Sequence, residues 1–235
     1  MEIRDIYQAV RLCFDEGAEN GSSLSEEAVA ALGSDSEAMN EIIENKLSDA
    51  LRWVCLYAPA EQLSGGGSGE SGTIDIIEDS SGDVPSDGRI SLGGNFIRLI
   101  RIRCSDWQRA VMGDSLLKED SEEYLQLSDP YGAEATSDRP QAALIETREK
   151  QVEVWPHGSE ATYELTKLVM PTSETIRQTL QQSGEVQVSV PPLLEGSFVY
   201  YLAFLVLSAY ADPRATRMLE IAKMNLGLTD DKQRA

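Results

Sequence analysis

The residues that could carry chemistry in this sequence are few. There is one histidine, His157, and three cysteines, Cys13, Cys55 and Cys104. Nucleophile-plus-base catalysis generally relies on a histidine beside a serine or cysteine, and His157 falls in a Pro156-His157-Gly158 turn between two strand-like runs, the setting of an exposed turn residue. The cysteines are odd in number and widely spaced, on or beside apolar helix faces or at the end of a strand-like run. That pattern predicts buried, reduced thiols and neither a disulfide framework nor a zinc site. Gly67, Gly69 and Gly72 spell G-x-G-x-x-G. A dinucleotide site needs a strand before that motif and a helix after it; here the order is reversed, so the run reads as a linker. Ser115 to Lys118 matches S-x-x-K without its companion signatures and reads as the start of a helical turn. Glu78, Asp79, Asp83 and Asp87 crowd a predicted loop, but not at the spacing of a calcium-binding loop. Carboxylate pairs for glycoside hydrolysis need coordinates to judge, and aromatic residues, which usually line sugar sites, make up only 6% of the chain. No catalytic residue, cofactor or metal site is assigned, and the expectation is a protein that is not an enzyme.

The charge balance is lopsided, with 40 acidic against 20 basic residues and a net charge of -20. A surface this acidic repels phosphate backbones and anionic lipids, which argues against specific nucleic-acid binding and against a membrane partner. Against this background three arginines, Arg98, Arg101 and Arg103, sit in one apolar strand-like run, residues 96–104. Regular alternation places Arg101 and Arg103 on one face and Arg98 on the other. Such arginines either pair within the chain or meet acids on a neighbouring copy, where planar bidentate pairing suits an interface.

Several elements must position these residues. Ile3, Ile6, Tyr7, Val10, Cys13 and Phe14 recur at helical spacing. Ser34 and Glu37 form a capping-box pattern ahead of a second helix that carries Met39, Ile42, Ile43, Leu47, Ala50, Leu51 and Val54 and stops at Pro59. After the Gly/Ser run at 64–72 the period changes from 3.6 to 2, predicting strands at 73–77, 96–104, 142–147, 151–155, 162–169 and 186–190. Short helices are predicted at 121–127 and 173–181. Helical spacing returns at 191–210, which is apolar nearly all round and includes Phe198 and Tyr201; such a helix belongs in a core or an interface. Asp212-Pro213 reads as the N-cap of a last helix, ended by Gly227. The longest apolar stretch, 198–211, is shorter than the roughly 20 residues a bilayer takes, and the N-terminus shows no signal region, which predicts a cytoplasm-like compartment.

The expected fold is α+β. The N- and C-terminal helices form a four-helix bundle, with an antiparallel β-rich region inserted. The expected divisions are helices at 1–60, a flexible acidic Gly/Ser-rich insertion at 61–95, the β-rich region at 96–190, helices at 191–228 and a flexible tail at 229–235.

From Phe96 onward the layout resembles the head–tail adaptor, or neck-ring, proteins of tailed double-stranded DNA phages. The matching elements are the strand from Phe96 to Ile102, then Ser105-Asp106-Trp107-Gln108-Arg109 and the short helix with Tyr124. They continue with Asp138-Arg139-Pro140 leading into 142–145, Val152-Glu153-Val154-Trp155-Pro156, the strand at Tyr163, and the apolar helix followed by Asp212-Pro213. The N-terminal helices, with Leu51-Arg52-Trp53-Val54, are similar to those of such adaptors, and the style resembles proteins of Bacteroidales-infecting gut phages, including the crAss-like group. Residues 17–36 and 64–87 depart from the compact family pattern. The resemblance implies a virion subunit, made in the host cytoplasm, that assembles with itself into a ring, typically twelvefold. The ring sits beneath the portal, against an adjacent neck or tail ring protein, and DNA passes through it without specific binding. It implies Arg98, Arg101, Arg103, Trp107, Arg109, Phe198 and Tyr201 as candidate interface residues, and Glu78, Asp79, Asp83 and Asp87 as candidate acids of the channel or its loops. The alternative reading is another virion assembly or tail completion factor without catalytic activity.

Overall fold

A computed structural model of the chain describes residues 1–18, 37–59, 62–63, 72–128, 135–146, 149–182 and 186–228. Ser34 of the predicted cap, Gly67 and Gly69, most of 17–36 and the tail 229–235 lie outside the described residues. In chain order the elements are α1 (Ile3–Ala18), α2 (Glu37–Tyr57), β1 (Thr73–Asp75), β2 (Ile77–Asp83), β3 (Arg89–Ser91), β4 (Phe96–Cys104), β5 (Val111–Met112) and β6 (Leu117–Lys118). They continue with α3 (Glu122–Ser128), β7 (Gln141–Ile145), β8 (Gln151–Trp155), β9 (Thr162–Val169), α4 (Ser173–Gln182), β10 (Gln187–Ser189), α5 (Glu195–Ala209) and α6 (Ala215–Asn225). The chain divides into two compact units: Ile77–Val169 belongs to one, and the segments before and after it form the other.

In the helical unit the apolar stripes predicted for α1 and α2 are the buried ones: Ile3, Ile6, Val10, Cys13 and Phe14 on α1, and Met39, Ile43, Leu47, Ala50, Leu51 and Val54 on α2. The four-helix bundle, however, is not formed. A bundle helix buries one stripe and keeps one face wet. Helix α5 instead buries Phe198, Val199, Leu202, Ala203, Val206 and Leu207 and packs against α1, α2 and α6, while α4 packs on α2. With so little polar surface of its own, α5 becomes the central element, not one member of a ring of four. Helices α1 and α2 also meet directly: the Tyr7 hydroxyl donates to Glu44, and Arg11 Nη2 donates to Asn40 Oδ1 at 2.9 Å. The unit contains a small sheet as well. Strand β1 pairs in parallel with β10, and the chain start runs along β10, with the Met1 amine donating to the Val188 carbonyl at 2.8 Å. By length and composition alone, Pro192–Ala209 is apolar enough to cross a bilayer, a test that the core helix of a soluble protein also passes; 44% of that stretch is buried within the protein.

The turn into α6 departs from the predicted cap. Helix α6 starts at Ala215 with Arg214 at the N-cap position. The Asp212 carboxylate instead accepts the Arg214 backbone N–H at 2.9 Å and the Arg214 guanidinium.

In the sheet unit, β2-β9-β4-β5 form one four-stranded sheet and β3-β8-β7-β6 another. Neighbours run antiparallel except β6 and β7, which are parallel. Leu99, Ile102 and Leu165 of the first sheet share a core with Ile90, Ala142, Val152 and Val154 of the second, so the two sheets face one another across apolar side chains. Residues 61–95, expected as a flexible insertion, carry β1, β2 and β3. The predicted helical turn at Ser115 to Lys118 is a short 3-10 turn, Gly113–Ser115, followed by β6. Met170 onward, at the end of the expected 96–190 region, belongs to the helical unit.

Candidate functional site

Strand β4 carries the three arginines, and its pairing with β9 decides where they point. The register is Phe96 to Val169, Arg98 to Leu168, Leu99 to Lys167, Arg101 to Thr166, Ile102 to Leu165 and Arg103 to Glu164, with shifts between Phe96 and Arg98 and between Leu99 and Arg101. Ile97 and Ile100 are therefore extra residues, each the mark of a β-bulge. Directly opposed residues share a face, and Leu168, Thr166 and Glu164 alternate along β9. All three arginines consequently lie on one face. The expectation that Arg98 faces the other way is corrected: a strict period of two ignores Ile100, and the bulge absorbs it. Gly113 lies against this bulge, where a Cβ would come 1.9 Å from the Leu99 carbonyl oxygen.

Strand β2 lies along the other side of β9, with Asp79 across from Thr166, Ser81 from Glu164 and Asp83 from Thr162. The outer face of the first sheet is thus a row of arginines on β4, a middle row with Thr162, Glu164 and Thr166 on β9, and an outer row with Asp79, Ser81 and Asp83 on β2. A hydrogen-bond chain crosses it: Arg101 Nε donates to Thr166 Oγ1 at 3.3 Å, and that hydroxyl donates to Asp79 Oδ1 at 2.6 Å. Arg101, Arg103, Glu164, Asp79 and Asp83 are exposed, and among the described residues neither Arg101 nor Arg103 forms an ion pair.

The opposite face of this sheet turns to the core. There Lys167, with its side chain 9% exposed, lies 3.1 Å from Glu78 Oε1 and donates to the Leu92 carbonyl at 2.9 Å. The expectation that these acids crowd a loop is therefore corrected. Glu78, Asp79 and Asp83 lie on a strand; Glu78 serves the buried ammonium on one face, while Asp79 and Asp83 occupy the other. Asp87 caps its turn by accepting the Arg89 N–H at 3.1 Å.

The remaining candidates are scattered. Trp107 is 2% exposed and its indole N–H donates to the Pro156 carbonyl at 2.6 Å; Phe198 is fully buried. Both are core residues and present no surface, a correction to their reading as interface anchors. Tyr201 is half-buried, stacked on Trp53 with ring centroids 4.2 Å apart and planes 5° from parallel. Burial, and Asp49 nearby, push its hydroxyl pKa up. Arg109 is exposed and lies near Asp138, whose carboxyl is held below the usual range by the Thr136 hydroxyl first and by Arg139 and Arg109 last.

His157 follows a cis Trp155-Pro156 bond and packs over Gly88, where a Cβ would come 2.5 Å from its Nε2. The thiol of Cys104 is pushed up to about 12 by burial, with Asp106 adding to the shift. Among the described residues no three His, Cys, Asp or Glu side chains gather as metal ligands. No family model and no curated protein matches the sequence.

Proposed function

We propose that this chain is a non-enzymatic structural subunit that associates with itself to form a ring in the neck of a tailed phage, between portal and tail, around the path of the DNA. The observation that carries the reading is the arginine face. In a protein of net charge -20, two exposed guanidinium groups stand on one face of a sheet without an ion-pair partner among the described residues. Planar, weakly hydrated guanidinium groups suit protein–protein contacts better than ammonium groups do. The acidity of the rest supports a subunit that sits beside DNA without holding it, and the layout from Phe96 onward supports placing it in the neck.

The test is quantitative mass spectrometry of gradient-purified particles from the source, counting this chain against the portal subunit. A ratio near one to one is expected. Absence from mature particles overturns the reading and points to an assembly factor instead.

A further inference from the structure

The outer face of the first sheet is polarised, basic along β4 and acidic along β2, and its rows are in step. Arg101 and Asp79 both lie level with Thr166, and Arg103 and Ser81 both lie level with Glu164, with Asp83 one step further along β2. The two outer rows are two strand spacings apart, roughly 10 Å. Rotate a second copy by half a turn about an axis that lies in the plane of contact and runs parallel to the strands, above β9. Each β4 row then faces the other copy's β2 row, and no residue changes its level along the strand.

We infer that this face binds the same face of a second copy of the chain through a twofold contact, in which Arg101 of each copy meets Asp79 of the other and Arg103 of each copy reaches Asp83 of the other. Stacked sheets sit about 10 Å apart, a gap that an arginine and an aspartate span together. The middle row meets itself on the axis. Thr162 is exposed and neutral there, Thr166 is buried and brings no charge to the axis, and Glu164 faces its own counterpart, with Arg103 level with it in each copy. The occupant is a second copy because the surface is complementary to itself: a uniformly acidic partner would satisfy β4 and be repelled by β2. A contact of this kind closes on itself, so it yields a pair of copies and goes no further; a ring with unlike sides toward portal and tail is polar and is closed through other surfaces. The inference rests on the reading of this face as a contact between copies.

The test is sedimentation velocity on the full chain at low ionic strength. The wild type is expected to form a pair. Arg101→Glu with Arg103→Glu makes the face acidic in all its rows, and Asp79→Lys with Asp83→Lys makes both outer rows basic. Each double variant is expected to weaken pairing roughly a hundredfold through like-charge juxtaposition. Two rescues follow from the geometry. The two double variants mixed together pair again, and the chain carrying all four changes pairs with itself, since its polarity is inverted but its rows remain in step. Glu164→Gln removes the like charges on the axis and is expected to tighten the pair. A monomeric wild type overturns the inference. So does a self-associating wild type that ignores both double variants, although that outcome leaves the virion reading to be judged by the particle count. Circular dichroism of each variant separates a lost contact from a lost fold, and the mixing experiment stands even if the fourfold variant fails to fold.

Discussion

Arg214 holds Asp212 with both prongs of its guanidinium: Nε donates to Oδ1 at 2.9 Å and Nη2 to Oδ2 at 2.8 Å. The remaining nitrogen, Nη1, donates to the Phe14 carbonyl at 2.8 Å. The pair is nearly closed off from water, with side chains 7% and 10% exposed, and it ties the start of α6 to the last turns of α1. Breaking a buried pair by removing one partner leaves an uncompensated charge. Asp212→Asn is expected to cost about 3 kcal/mol at neutral pH, read from urea unfolding of variant and wild type.

The same pair predicts an acid response. The hydrogen bonds from Arg214 hold the Asp212 carboxyl below its ordinary value of 3.8. A carboxyl whose folded pKa is depressed contributes stability that is present above the unfolded value and is lost as pH falls through the folded one. The stability gap between wild type and Asp212→Asn should be constant from neutral pH down to about 5 and should then close below about 4. A gap that persists unchanged into strong acid would contradict this assignment.

Gly113 is expected to tolerate no side chain. Its Cβ would meet backbone, the Leu99 carbonyl oxygen at 1.9 Å and the carbonyl carbon at 2.8 Å, and neither is free to swing away. Gly113→Ala should cost about 3 kcal/mol or more through forced overpacking at the bulge. Gly94→Ala, with nothing within 4 Å of the added atom, should change stability by less than about 1 kcal/mol. Thermal unfolding of the two variants side by side checks the contrast.

The Trp53–Tyr201 stack joins α2 to α5, and Tyr201 also contacts Phe204 at 5.4 Å between ring centroids. A double-mutant cycle with Trp53→Leu and Tyr201→Leu should return a coupling of about 1 kcal/mol, the usual excess of an aromatic pair over area alone. Strictly additive single changes would show that the near-parallel rings contribute only their buried surface.

All three cysteines are buried, and the Cys104 thiol, pushed up to about 12 mainly by burial, is protonated at working pH. Alkylation requires the thiolate. Iodoacetamide at mildly alkaline pH should leave the native chain unmodified and should label Cys13, Cys55 and Cys104 once the chain is unfolded in urea. Rapid native labelling at any of the three would place that thiol at the surface.

Much of the local structure is legible in the sequence because it is set by short-range patterns. The stripe from Ile3 to Phe14 names the buried face of α1. The breaker at Pro59 marks the end of α2, and Gln151–Trp155 and Thr162–Val169 are strands with the predicted bounds. What pattern alone does not carry is the identity of each face's partner. The apolar girth of α5 is compatible with a bundle member and with a central helix, and only long-range packing separates the two. Trp107 and Phe198 illustrate the same ambiguity, since large aromatic side chains are favoured equally in cores and interfaces. The sidedness of Arg98 was hidden for a different reason: a bulge is specified by two strands together, and β9 lies some sixty residues away from β4 in the chain.

That bulged strand has a mechanical consequence. Strand β4 spends nine residues covering the stretch of β9 from Val169 to Tyr163, so two rails of unequal contour are tied together at both ends. The longer rail has to arc, and added local twist accompanies each extra residue. Flat, straight sheets are the ones that stack into fibres. A protein that displays polar sheet surface at high concentration is therefore protected from fibrous stacking by the warp of the sheet as well as by its charge.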